Sequence, residues 1–460
     1  MKERILFFLS FFFLIYFHVH SQCDDSSIIA IKSYNKKARE IRSKDPKKAL
    51  LLAFKSYNLS FCDTSGLLHA ASLRELGTIN YWLSNYDTAK VLLSKSLKIY
   101  EAHQDLEGIS ACLNNLGLIY IAIGNIAKAE NFFRRALEID IELNDIQAIA
   151  IGYNSLGKIK FITGKYNEAL NLYKLSLYYE IQANNKEGEA GSYINIGAVY
   201  QELGKLELSN NFYYKALNIY NSLGLVSDIA MTYNNIGSNY ILRGKLDKAE
   251  EYIFRSLEIR KNINDRKGLA QTYIKLGDLY DKLKQHEKAE RYFFKGINIA
   301  MDIGEYRQIA LGFYYRGINM LNKGDTLGAI TYFQNSYEFA SELEFIPLLE
   351  ELLVSLSNNM ETKKQYKESL YYLKKYVELK QYIETSIRDS YSDEDDIFSE
   401  AIKMLEEEKT SKTAQLKTYS LSAIIFFLVL YVIYLLVVIR RIKKMIKIKN
   451  KPSKDYQIED

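Results

Sequence analysis

The sequence predicts an all-α protein: a solenoid of about nine antiparallel helix pairs, followed near the C-terminus by one transmembrane helix. Three observations predict it. A glycine recurs every 40 residues through most of the chain, with large and small residues at fixed offsets around it. Proline is scarce, 3 in 460 residues against a usual share of about 5%. Such scarcity suits long helices and argues against turn-rich β architectures. Near the end, 21 residues without a charge are followed at once by a run of cations.

The repeat comes first. Gly77, Gly117, Gly157, Gly197, Gly237, Gly277 and Gly317 are spaced by 40. Four residues before them stand Leu73, Leu113, Tyr153, Tyr193, Tyr233, Tyr273 and Phe313; three after them stand Tyr120, Tyr200, Tyr240 and Tyr280. Offsets of 4 and 3 place these residues on one face of a helix. Small residues follow at +12 (Ala89 to Ala329, with Ser209 the exception), large ones at +16 (Leu93, Phe133, Tyr173, Tyr213, Ile253, Phe293, Phe333), and small ones again at +19. That set lies on one face of a second helix. Between the two helices Gly124, Gly164, Gly204, Gly244 and Gly324 mark a turn, where glycine suits a left-handed helix end. One such pair cannot bury both of its faces, so neighbours must stack.

Asp45-Pro46 reads as an N-cap with a first-turn proline, Ala49 carries the alanine column backward, and Ser369 and Leu373 carry it forward. Pro347 opens the last pair. The array is expected over residues 27–383, with degenerate caps at 27–62 and 347–383.

The columns of a large residue, Leu-Gly, Tyr, Ala, Phe and Ala resemble the tetratricopeptide repeat in a long, 40-residue form. Asn114-Asn115-Leu116-Gly117 and Asn234-Asn235-Ile236-Gly237 are similar to the repeats of kinesin light chains and of bacterial peptide-binding regulators. The resemblance implies a right-handed superhelix whose first helices line a concave groove for peptides.

The ends set the expected topology. Met1 to Arg4 is charged, Ile5 to Phe17 is apolar, and Val19 and Ser21 flank a cut before Gln22, so residues 1–21 read as a signal peptide. An apolar run of 13 residues is short for a span, which needs about 20. Gln22 stands where a lipobox before Cys23 needs a small residue. Residues 384–418 read as an acidic hinge (Asp393 to Asp396) and a juxtamembrane helix whose heptads do not persist into a coiled coil. Residues 419–439 are the expected span and 440–460 a short basic tail, placed in the cytoplasm by the positive-inside rule. The expected location is a bacterial inner membrane, with the repeats in the periplasm.

Net charge is +5, and the tail alone, with eight Lys/Arg and three Asp/Glu, accounts for it. The neutral remainder gives no reason to expect nucleic acid. No His pair has metal-ligand spacing, no phosphate loop or nucleophile motif occurs, and neither an enzyme nor a cofactor is expected. Cys62 and Cys112 are open to two readings, a disulfide in an oxidising compartment or buried free thiols, with the second expected.

Function must then lie in a surface. In tetratricopeptide proteins an asparagine two residues before the glycine often bonds ligand backbone. The resemblance makes Asn115, Asn195 and Asn235 candidates, with Asn114, Asn154 and Asn234 one residue earlier and Lys158 and Lys275 for a carboxylate. Glu75, Ser155 and Tyr315 depart from the amide pattern, and the asparagines alternatively satisfy neighbouring helices. The whole resembles the periplasmic sensor half of Bacteroidetes-type membrane signalling proteins, without their kinase or helix-turn-helix half. The expected role is a membrane-anchored module that binds a peptide or protein, serving a separate signalling partner. An envelope assembly scaffold and a truncated remnant of such a sensor are the alternatives.

Overall fold

The computed structural model describes residues 23–42, 45–343 and 345–388. All of them fall in the first of two compact units, residues 1–391. The expected signal peptide, hinge cluster, transmembrane helix and basic tail lie outside the described residues. Among the described residues no helix is long and apolar enough to cross a membrane.

Eighteen α-helices and one 3-10 turn, with no strand, make up the described chain. The first pair is α1 (Asp25–Ile41) and α2 (Pro46–Leu59), followed by the 3-10 turn Ser60–Cys62. Next come α3 (Leu67–Trp82) with α4 (Tyr86–Ala102), α5 (Leu106–Ala122) with α6 (Ile126–Glu142), and α7 (Ile146–Ile162) with α8 (Tyr166–Gln182). The middle pairs are α9 (Lys186–Glu202) with α10 (Leu206–Leu223) and α11 (Val226–Leu242) with α12 (Leu246–Asn262). The array finishes with α13 (Arg266–Lys282) and α14 (His286–Ile303), α15 (Tyr306–Asn322) and α16 (Thr326–Glu342), and α17 (Ile346–Thr362) and α18 (Tyr366–Arg388). Helix α18 runs on past residue 383, where the repeat columns had ended.

The 40-residue period has a steric cause. A Cβ on Gly197 would stand 2.5 Å from the Tyr213 ring, one on Gly237 2.6 Å from Ile253, and one on Gly117 2.6 Å from Phe133. Each column glycine thus makes room for the large residue sixteen positions later on its partner helix. The small residues at +19 work between helices too. Ser96 Oγ donates to the Ala70 carbonyl and Ser336 Oγ to the Ala310 carbonyl, both at 2.7 Å.

Among the described residues, left-handed turns recur both within the helix pairs and between them. Gly124, Gly164, Gly204, Gly244 and Gly324 have φ between 68° and 84°, as expected, while Ser84, Lys284 and Lys364 adopt the same conformation without glycine. The second turn was not anticipated. Gln104, Asn144, Asn184 and Asn264 have φ near 53°, and the next residue caps the following helix. Asp105, Asn185 and Asp265 accept from the backbone N–H of Gly108, Gly188 and Gly268 at 2.8–3.2 Å.

The cysteines require a correction. Cys62 pairs with Cys23, not Cys112, across a sequence separation of 39. Antiparallel packing of α1 and α2 brings the start of one beside the end of the other, with Cα atoms 4.9 Å apart. Cys112 is a buried free thiol, 3.4 Å from Ser96 Oγ.

Candidate ligand-binding site

First helices of successive pairs approach one another closely, α1 with α3, α11 with α13 and α13 with α15. Crowding of that kind marks the inner side of a curved stack. The array also winds far enough for α18 to touch α6.

A cavity of about 240 Å³ opens on this inner side between α11, α13 and α15. Met231, Asn234, Asn235 and Ser238 come from α11, Gln271, Ile274 and Lys275 from α13, and Gln308, Leu311 and Tyr315 from α15. Arg260 enters from the second helix α12. Each first helix delivers its residues at offsets of 3 or 4, so one face of each is spent on the lining.

Asn234 is 6% exposed. Its Nδ2 donates to Thr272 Oγ1 at 3.2 Å, and that hydroxyl spends its own hydrogen on the Gly268 carbonyl at 2.9 Å. Thr272 Oγ1 can therefore only accept from Asn234, which fixes the amide's orientation. The Asn234 Oδ1 is left buried with no protein donor.

Arg260 is also buried; its Nε donates to Ser256 Oγ at 3.2 Å and Nη1 to Asp265 Oδ2 at 3.3 Å. Burial holds its pKa below the ordinary arginine value, against the pull of Asp265. Gly268 makes room for this guanidinium, since any Cβ there would collide with it. Lys275 Nζ lies 5.6 Å from the centre of the Tyr315 ring. The Tyr315 phenol raises the Lys275 pKa, burial opposes the rise, and Asp278 adds to it. Burial in turn holds Asp278 above the usual carboxylate range, although Lys275 and Lys282 pull it down.

The structure brings three of the sequence candidates, Asn234, Asn235 and Lys275, to this one cavity. The others lie elsewhere. Asn195 Nδ2 donates to Asn154 Oδ1 at 2.7 Å, so these two join α9 to α7, as the alternative reading had it. Asn114 Nδ2 reaches Ser110 Oγ on its own helix at 3.5 Å. Asn115 is half-buried on α5, outside the cavity lining. Lys158 lies on α7, outside the cavity lining, and desolvation, then the positive charge of Arg307 on α15, lower its pKa.

Sequence reasoning missed Arg260, Gln271 and Gln308. A signal for Arg260 existed. Gly108, Gly188 and Gly268 form a further glycine column, each making room for a large side chain eight residues earlier, Tyr100, Glu180 and Arg260. The two glutamines had no columnar signal.

The model of the tetratricopeptide repeat family matches residues 68–142, 148–222 and 228–302. No curated protein matches the chain significantly. Among solved structures, a Rap protein complexed with competence and sporulation factor is similar at a TM-score of 0.57 and 16% identity, over 79% of this chain and 99% of that one. The Rap conjugation gene regulator of plasmid pLS20, in complex with the Phr* peptide, is similar at 0.53 and 16%, over 80% and 99%. Aspartyl phosphate phosphatase F from Bacillus subtilis is similar at 0.50 and 16%, over 79% and 96%. Likeness at this identity speaks for the fold. The matched residues carry tetratricopeptide repeats, and helix pairs of the same build continue the solenoid on both sides of them.

Proposed function

We propose that this chain is a membrane-anchored, exported interaction module that holds an extended peptide or protein segment on the inner face of its solenoid and serves a separate signalling partner. The observation that carries the binding reading is the cavity between α11, α13 and α15, whose lining sets the amides Asn235, Gln271 and Gln308 beside Lys275. A ligand main chain can bond such amides at about 0.5–1.5 kcal/mol each. Of the solenoids of similar fold, one is complexed with competence and sporulation factor and another with the Phr* peptide.

Export is supported by the Cys23–Cys62 bond, because disulfides persist in oxidising compartments. The bond also occupies the thiol that a lipid anchor on Cys23 would need. Anchoring and orientation rest on the charge-free residues 419–439 and the cations after them.

The test is recovery of peptide or protein partners from envelope extract by the purified full chain. Asn235→Ala removes a lining amide that makes no described helix–helix bond. At about 0.5–1.5 kcal/mol, affinity falls roughly two- to tenfold while the helical circular dichroism is unchanged. Equal recovery by the folded variant would remove Asn235 from the site.

A further inference from the structure

Helix α18 carries the side chains of a buried interface, yet they are exposed. In the internal repeats the second helix of each pair packs against the first helix of the next. Leu93 of α4 packs with Leu116 and Ile119 of α5, and Tyr173 of α8 with Ile196 and Val199 of α9. Four positions further along the repeat, Leu137 and Ile297 also reach the next first helix. A Cβ on Gly152 of α7 would stand 2.9 Å from Leu137, and one on Gly312 of α15 2.5 Å from Ile297. In α18 these two repeat positions hold Leu373 and Val377. Each is 48% exposed, whereas Leu93, Leu137, Tyr173 and Ile297 are at most 3% exposed. Tyr366 and Leu370 are exposed beside them. Residues 366, 370, 373 and 377 are spaced by 4, 3 and 4, the seam that an identical helix fits in a coiled coil.

Three observations select what covers this stripe. The first is that the helix does not turn back over it. Second helices α4 to α16 end within one residue of a shared repeat position, Glu142 and Glu342 among them; the matching residue of α18 is Tyr382, but the helix runs on to Arg388. The second is the opposite end of the solenoid, where α1 exposes Lys32, Lys36 and Lys37. Head-to-tail stacking would bring these cations against Lys367 and Lys374, which are exposed along the stripe. The third is self-complementarity: a two-fold axis lays the apolar stripe on its own copy. Direction follows from the flanks. Lys367 and Lys374 lie on one side of the seam, Ser369 and Tyr376 on the other. Antiparallel packing would set the two lysine flanks together, and parallel packing sets each beside Ser369 and Tyr376.

We propose that α18 is a dimerisation surface, on which two copies of this chain pair in parallel through Tyr366, Leu370, Leu373 and Val377. The pairing is independent of peptide binding on the inner face. Both chains leave α18 in one direction, as anchoring in one membrane requires.

The test follows the full chain, purified in detergent, by light scattering over a range of concentrations. In parallel, Val377→Cys is oxidised in membranes and read on non-reducing gels. The expected results are a dimer and a covalent dimer through position 377, with none through Glu258→Cys at an exposed site on α12. Leu373→Glu changes a side chain that solvent already reaches, so helical circular dichroism should be unchanged. It removes two leucines from the paired surface, which should raise the dissociation constant about a hundredfold or more. Combined with Val377→Cys it should abolish the crosslink.

A monomer at every concentration overturns the inference. A dimer that survives Leu373→Glu, or that forms without the 377 crosslink, places association elsewhere, in residues 419–439 for example, and overturns it. Open-ended oligomers overturn the two-fold pairing. A monomer whose denaturation midpoint falls with Leu373→Glu assigns the stripe to another part of the same chain and also overturns it.

Discussion

Two of the three glycines in helix α9, Gly191 and Gly197, have opposite surroundings, and they provide a test of why the repeat exists. A Cβ on Gly191 meets nothing within 4 Å, whereas one on Gly197 stands 2.5 Å from Cε1 and 2.7 Å from Cδ1 of Tyr213. Tyr213 is 2% exposed, and its hydroxyl donates to Gln201 Oε1 at 3.4 Å. An ordinary carbon contact needs about 3.5–4.0 Å, so the ring must move by roughly 1 Å in a packed interior. Gly191→Ala gains the helix propensity of alanine, about 0.8–1 kcal/mol. Gly197→Ala gains the same amount but loses about 1–3 kcal/mol to overpacking and about 0.5–1.5 kcal/mol with the Tyr213 hydrogen bond, a net loss of roughly 1–3 kcal/mol. Adding Tyr213→Ala removes the clash, so the pair should be coupled by about 1 kcal/mol or more. The assay is equilibrium denaturation of the full chain, followed by helical circular dichroism. Shifts of the same sign for the two glycines, or additivity of Gly197→Ala with Tyr213→Ala, would refute the steric account of the period.

Other parts of the solenoid give further expected outcomes. Cys62→Ser opens a closed loop of about 40 residues, which by chain entropy is worth about 4 kcal/mol, so protease should cut α1 and α2 first in that variant or under reductant. Lys284 sits at φ 59°, where a side chain costs about 1–2 kcal/mol, and Lys284→Gly should raise the denaturation midpoint; a fall would contradict the assigned turn. Buried Lys160 lies 3.0 Å from buried Glu130. Lys160→Met should cost about 3–5 kcal/mol, and Lys160→Met with Glu130→Met much less, as read from the same melts. Burial beside Tyr57 and Phe61 holds His69 below its ordinary 6.5, although Asp63 opposes the shift. The unfolded chain then takes up the proton first, so stability falls as pH drops through 6.5 and levels off below the folded value; His69→Gln should abolish that slope in pH-dependent melts.

The repeat was legible because one steric rule is applied seven times. A glycine and a bulky residue sixteen positions on cannot drift apart without collision, so the columns stay in register and can be read from a single sequence. The turn glycines were legible for the same reason, but Asn144, Asn184 and Asn264 were not, because asparagine tolerates the left-handed conformation and also appears in many other roles. The disulfide was hidden because the distance between residues 23 and 62 is set by antiparallel folding of the first pair. Of the candidate site, Asn234, Asn235 and Lys275 were found by position in the repeat. Asn154 and Asn195 share that type of position yet bond each other, because the partner an asparagine finds across the groove depends on the neighbouring helix. Arg260 was missed because it reaches the cavity from a second helix, which column logic assigns to the outer layer.

The central claim, that ligand is held at the inner face beside Asn234 and Lys275, is tested most directly by site-specific photocrosslinking in living cells. A photoreactive residue at position 238, in the cavity lining, is compared with one at exposed position 258 on α12. The account predicts a discrete peptide or protein adduct at 238, lost in Asn235→Ala, and none at 258. Adducts at 258 alone, or equal adducts at both positions that persist in Asn235→Ala, would contradict it.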